Sequence, residues 1–228
     1  MPKVKRGGTK RSGGGSQGAS SNTLTIGNDT IEFDGKLEYG PKQNATSDQR
    51  KGLDAWENKR YGNKIEFAIS IDADGRPLQG EVRGGSHSVR TPRWWGDSTT
   101  AILTHNHPRE NGGLGGTFSD EDIYNFIRGN NKGKRATAKE GTYWISRMQL
   151  FNGAGLRTYV KNTWQKNQDQ LKAVRKQLNQ DAADNKISKA EYDKKWQKSF
   201  NNYLIGLHND LIAGQEKYGY TYGLEKRK

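Results

Sequence analysis

The sequence predicts an α+β fold: a β-sheet flanked by helices, closed by a C-terminal helical hairpin and preceded by a disordered basic tail. Three observations carry this. Lys64 to Asp72 alternates Ile65, Phe67, Ile69 and Ile71 with Lys64, Glu66, Ala68 and Ser70, the two-residue period of a half-buried strand. Residues 158–181 and the stretch after Ser188 instead space their apolar residues at helical intervals. Met1 to Asn22, rich in Lys, Arg, Gly and Ser, has almost nothing to bury and cannot offset chain entropy. The chain therefore divides into a disordered basic tail (1–22), a central domain (23–157) and a helical hairpin extension (158–228).

The elements follow in order. Thr23-Leu24-Thr25-Ile26 and Thr30-Ile31-Glu32-Phe33 flank Gly27-Asn28-Asp29, a short hairpin signal. Ser47 to Arg60 reads as a helix with Leu53 and Trp56 facing inward, the Ser47-Asp48 pair as cap and Gly62 past its end. After the Lys64–Asp72 strand, Asp74-Gly75 makes a turn and Pro77 to Val89 reads as the returning strand. Arg90 to Ser98 is a connection; of its paired Trp94 and Trp95, one belongs in the core and the other over a surface groove. Ala101-Ile102-Leu103 is the buried end of a strand that Pro108 terminates, and Asp120 to Arg128 is a helix. Asn130 to Arg135 reads as a basic, Gly-containing loop, and Gly141 to Leu150 as the sheet's far-edge strand. In the hairpin, Val160, Trp164, Leu171, Val174 and Leu178 mark the first helix. Ser188-Lys189-Ala190-Glu191 is a capping box. It opens a second helix striped by Tyr192, Trp196, Phe200, Tyr203, Leu204, Leu207 and Leu211, with His208 beside the stripe as a packing or surface residue. Tyr218 to Tyr222 ties the C-terminus down.

The chemistry concentrates at Thr104 to Ile123. Of four histidines, His105 and His107 stand one residue apart at a strand end, where residues i and i+2 share a face. Asp122 lies at the start of the following helix. Two imidazoles and a carboxylate converging in this way are the ligand set of a catalytic zinc site with three protein ligands and one open position. Asn106, between the two histidines, faces away and is left to bond neighbouring backbone. His87 has no spaced partner and reads as structural or exposed.

The same residues resemble a known family. His-Asn-His-Pro, a Gly-rich stretch, then Ser119-x-x-Asp122 is similar to the signature of the JAMM (MPN/JAB) metalloproteases, closest in spelling to RadC-like and phage-associated bacterial members. The likeness covers roughly residues 47 to 150, and the spacing from His107 to Asp122 is longer than usual, the surplus falling in Gly112-Gly113-Leu114-Gly115-Gly116. The resemblance implies a JAB/MPN-like mixed sheet, with His105, His107 and Asp122 on Zn2+, a glutamate on an earlier strand as general base, and Ser119 stabilising the oxyanion. Glu66, in a Glu-x-Phe context, matches the base; Glu81 is the second candidate. The implied activity is hydrolysis of a peptide or isopeptide bond in a protein or peptide substrate, in a phage or mobile-element protein. A JAB-like module without activity that binds nucleic acid or a capsid or other partner protein is the other reading. The letters His105-Asn106-His107 do not make an HNH nuclease, whose motif residues spread over a whole ββα unit. A zinc deaminase needs a Cys-x-x-Cys pair.

Composition narrows the classes further. The chain has no cysteine, so a disulfide scaffold and thiolate metal sites are excluded. No apolar run reaches the ~20 residues that span a bilayer, and no secretory signal is legible, so a cytoplasmic or virion-borne protein is expected. Of the net charge of +13, residues 1–22 carry five basic groups and no acid, while residues 158–228 carry fourteen basic and eight acidic groups. The remaining +2 is spread over the central domain, so the basic ends are the places where a polyanion such as nucleic acid would be met.

Overall fold

The structure, a computed structural model, describes residues 21–108 and 113–227. In chain order these form β1 (Ser21–Ile26), β2 (Asp29–Asp34), α1 (Ser47–Arg60), β3 (Phe67–Ile71), β4 (Val82–Arg83), a 3-10 turn (Arg93–Asp97) and β5 (Ile102–Asn106). There follow α2 (Asp120–Arg128), β6 (Gly133–Thr137), β7 (Gly141–Arg147), α3 (Gly153–Ala183), α4 (Lys189–Tyr218) and β8 (Tyr220–Lys226). The class is mixed α+β. β1 and β2 make a hairpin, and the other strands make one six-stranded sheet in the order β4-β3-β5-β6-β7-β8. Only β5 and β6 are parallel. Parallel neighbours need a crossover, and the one here carries α2 over the sheet. Most of the tail expected to be disordered lies outside the described residues, as does Gly112 of the glycine stretch. No helix among the described residues is long and apolar enough to cross a membrane.

β5 is buried at every position because both of its faces are covered. On one face Ile102 packs with Leu53 and Trp56 of α1, and Thr104 donates to Glu57 of the same helix. On the other, Leu103 meets Ala68 and Trp95, and His105 lies beside Phe118. β3 is covered in the same way, which is why Ala68 and Ser70, the expected solvent face, are as buried as Ile69 and Ile71. The largest apolar cluster lies on the α2 side, where Ile123 and Phe126 of α2 meet Val160 and Trp164 of α3, Leu207 and Leu211 of α4, and Tyr220 and Leu224 of β8.

Several expectations are corrected. The α1 cap is Thr46, whose side chain accepts from the Gln49 amide at 3.0 Å, and not the Ser47-Asp48 pair. The Lys64–Asp72 strand is regular only over Phe67–Ile71. The returning strand shrinks to Val82–Arg83 and a single bridge at Pro77. Pro77 has no amide to donate, and Gly80, Gly84 and Gly85 have no side chains to pack. The basic loop read at Asn130–Arg135 runs into β6, an interior strand. Its two charges are matched inside, Lys134 by Asp122 at 2.6 Å and Arg135 by Glu57 and Glu225 at 2.6 and 3.0 Å. β7 is not the far edge, because β8 pairs along its whole length. Residues 158–228 thus end in β8, the edge strand of the sheet, and α3 begins five residues early, at Gly153, capped by Asn152. The Ser188 capping box forms as expected, as does the α2 helix at its expected bounds. Of the tryptophan pair, Trp95 is fully buried and Trp94 is 48% exposed.

Candidate metal centre

β5 holds His105 in the sheet, and the chain stays extended for one more step because the His107 amide donates to the Thr137 carbonyl at 2.8 Å. The two imidazoles therefore project together, as residues i and i+2 of a strand must. Their Nε2 atoms are 2.9 Å apart. Asp122, in the first turn of α2, closes the triangle: Oδ1 lies 3.3 Å from His105 Nε2 and Oδ2 3.6 Å from His107 Nε2. The candidate ligand atoms of these three residues all lie within 4.8 Å of one another. Donors around a tetrahedral ion at bond lengths of about 2.0–2.2 Å stand about 3.3–3.6 Å apart; taking one atom from each residue keeps this set within 4.8 Å, so the three side chains can close on one ion.

The donor chemistry fits as well. His107 Nδ1 is 3.1 Å from the Gly116 carbonyl, which can only accept, so that nitrogen carries the proton and Nε2 presents a lone pair to the site. At 2.9 Å the two Nε2 atoms stand at hydrogen-bond distance, a spacing that a proton on His105 Nε2 accounts for as well as a shared ion does. The charges of the three residues act on one another. Burial works to raise the Asp122 pKa, but the charge of His105, that of Lys134 and the imidazole hydrogen bonds hold it well below the usual carboxylate range. Burial depresses His105 and outweighs Asp122. Burial also works against a charged His107, yet its bond to Asp122 and the charges of Asp122 and Glu66 raise it overall.

Glu66 comes to the site through strand register. Ala68 pairs with His105, and Glu66 stands two residues before it, where the charges of His107 and Asp122 act on its carboxyl. Its amide donates to Gly85 O at 2.7 Å and its carbonyl accepts from Gly84 N at 2.8 Å, so the backbone there is fixed. Asn106 helps to end the ladder, accepting from Phe67 N at 2.7 Å and donating to Ile65 O at 2.9 Å. The Glu66 residue is 8% exposed. Burial raises its pKa and the nearby Asp122 charge adds to that, against the opposing influence of His107, Lys134 and His87. Glu81 lies elsewhere: it takes the Trp56 indole N–H at 3.0 Å and an ion pair from Arg60, both on α1.

Ser119 is the N-cap of α2 in a capping box. Its Oγ accepts from Asp122 N at 3.1 Å and donates to Asp122 Oδ2 at 2.8 Å, and its amide donates to the same oxygen at 2.9 Å. The hydroxyl proton expected at an oxyanion is thus engaged in aiming the Asp122 carboxylate. Lys134 was missed. Its Nζ reaches Asp122 Oδ1 at 2.6 Å from β6, and the signal for it lay in the alternation Lys134-Arg135-Ala136-Thr137 after Gly133, masked by charge. His208 is not among the candidate ligands: it is fully buried, with Nε2 on Glu38 O at 3.0 Å and Nδ1 on the Tyr222 hydroxyl at 2.7 Å. His87 is exposed. Asp120 and Glu121 line a groove between α2 and α3 together with Ile123, Val160 and Trp164.

Comparison of the chain with protein-family models, with curated proteins and with solved structures finds no match in any of the three. The functional reading therefore rests on the residues.

Proposed function

We propose that this chain is a zinc-dependent hydrolase of JAMM type that cleaves a peptide or isopeptide bond. The observation that carries it is the convergence of His105, His107 and Asp122 within 4.8 Å, in a set to which Glu66 is electrostatically coupled. Two imidazoles and one carboxylate are a donor set that zinc takes in hydrolases and that iron(II) also takes; the hydrolytic reading takes zinc. When bound, zinc supplies a Lewis acid that lowers the pKa of water toward about 7 and draws charge from a carbonyl oxygen. His105 and His107 would hold it through Nε2 and Asp122 through its carboxylate.

The remaining chemistry belongs to the chain. Glu66 takes a proton from the attacking water as the water oxygen bonds to the scissile carbon. It then delivers that proton to the leaving nitrogen as the C–N bond breaks. Ser119 sits where the first N–H groups of α2 point outward, so developing negative charge there meets the positive end of a helix. Ser119 Oγ–H would serve that charge by turning from Asp122 Oδ2. Glu66→Gln should keep fold and metal and lose hydrolysis by about 10²–10⁴-fold. The assay compares new N-termini and cleaved isopeptides in a proteome exposed to each form. Identical profiles from the two, with zinc present in both, would remove Glu66 as the base.

One observation favours a second reading. The Lys134 ammonium, 2.6 Å from Asp122 Oδ1, already supplies a positive charge where a metal would. In that reading the chain is a JAB-like binding module of a phage or mobile element, engaging nucleic acid or a partner protein through its basic ends, and Glu66→Gln changes nothing.

A further inference from the structure

The glycine segment between the histidines and α2 has no explanation in the sequence, and the structure gives its described part a task. Gly115 and Gly116 send successive amides, at 3.0 and 2.9 Å, to the two carboxylate oxygens of Glu140 in the β6–β7 turn. Successive backbone N–H groups closing on one carboxylate form an anion-binding nest. Glu140 is 3% exposed, and its Oε1 also accepts the Tyr143 hydroxyl at 2.8 Å. Neither glycine can be replaced without movement. A Cβ on Gly115 would stand 2.7 Å from the Ala138 methyl, and Gly116 has φ +82 with Leu204 packed against it. The next residue fastens the segment at its other end: Thr117 Oγ1 lies 2.8 Å from the Tyr222 hydroxyl, which lies 2.7 Å from His208 Nδ1. Toward the site, the segment presents the Gly116 carbonyl, 3.1 Å from His107 Nδ1.

We infer that Glu140 is a positioning residue of the metal centre, clasping Gly115 and Gly116 so that the Gly116 carbonyl keeps His107 in the Nδ1–H tautomer with Nε2 aimed at the metal. The inference rests on the proposed metal site and concerns a residue in neither the ligand set nor the base. It follows the general behaviour of metal-bound histidines, whose second nitrogen is fixed by a carbonyl or carboxylate and whose loss costs about 10–100-fold in affinity. Gln at 140 would keep one acceptor but turn an NH2 group toward the other glycine amide, so the nest opens without an emptied core.

The test uses the full chain and zinc alone as probe. Affinity is measured by competition with a chelator, and the His107 tautomer by imidazole 15N NMR in the metal-free protein. Glu140→Gln should bind zinc about 10-fold or more weakly and show His107 as a tautomer mixture. Leu53→Ala, a core change on the opposite face of the sheet, should lower thermal stability and leave both readouts alone. Unchanged affinity and tautomer in Glu140→Gln, or an equal loss in Leu53→Ala, would overturn the inference. If Glu140→Gln does not fold, Glu140→Asp keeps the charge, draws the carboxylate back from the nest and is judged by the same two readouts. If the wild-type chain takes up no zinc, the proposed function fails, and the tautomer comparison alone decides the role of Glu140.

Discussion

Arg135→Met should be among the most damaging single changes outside the site. Arg135 is 1% exposed on interior strand β6, and all of its donors are used. Nε and Nη2 reach Glu57 at 2.6 and 3.0 Å, and Nη1 and Nη2 reach Glu225 at 3.0 and 3.2 Å, with Nη1 also on Gln43 at 3.2 Å. Methionine fills much of the volume but strands carboxylates that the guanidinium had neutralised. Glu225 keeps Arg50 at 2.8 Å, whereas Glu57, 3% exposed, keeps the hydroxyls of Thr104 and Thr142 at 2.9 and 3.1 Å and the charge of Arg227. Leaving one member of a buried ion pair uncompensated costs about 3–5 kcal/mol. For a chain of this size that lowers the melting temperature by roughly 6–20 °C. Adding Glu57→Gln should return part of the loss, since the stranded charge goes with it; a double-mutant cycle in urea reads the coupling. A loss below about 1 kcal/mol in Arg135→Met, or strict additivity with Glu57→Gln, would refute the argument.

Other consequences can be checked separately. Burial lowers the His208 pKa from 6.5 to about 4 despite the opposing bond to the Glu38 carbonyl. The unfolded chain therefore takes up a proton near pH 6.5 that the folded chain refuses until about pH 4. Stability is lost as pH falls through that window, by about 2 kcal/mol between pH 7.5 and 5 from this group. An NMR titration of His208 showing protonation above pH 6 would contradict it. Ser119→Ala removes the α2 cap and should cost about 1 kcal/mol in chemical denaturation, with zinc retained but held less tightly; unchanged stability and affinity would deny Ser119 its hold on Asp122. Glu81→Gln, on an ion pair partly open to solvent, should cost no more than about 1 kcal/mol. It should leave zinc content and hydrolysis as they are, and a loss of either would bring Glu81 back as the base.

What the sequence showed plainly was local. Helix α2, the Ser188 box and the shared face of His105 and His107 each follow from residues within one or two turns, and the structure has them. Asn106 bonds neighbouring backbone, as its place between two inward-facing histidines required. Misreadings came where charge is buried. Lys134 and Arg135 look like a solvent loop until Asp122, Glu57 and Glu225, all distant in sequence, are placed around them. β8 carries a strand signal of its own: Tyr220, Tyr222 and Leu224 alternate with Thr221 and Gly223 and are all buried against β7 and α4. That Glu66 serves the site is an expectation from resemblance; what the paired strands add is the Ala68–His105 register two residues away.

The central claim is that His105, His107 and Asp122 bind a metal ion, and metal analysis of the purified chain tests it most directly. Zinc should be found at about one per chain. It should be lost in both His107→Ala and Asp122→Asn, since the first removes a donor and the second leaves a neutral amide, a poorer zinc ligand. Both variants should still unfold cooperatively, because neither residue belongs to an apolar cluster. A wild-type chain that takes up no zinc, or zinc content unchanged in His107→Ala, would contradict the account.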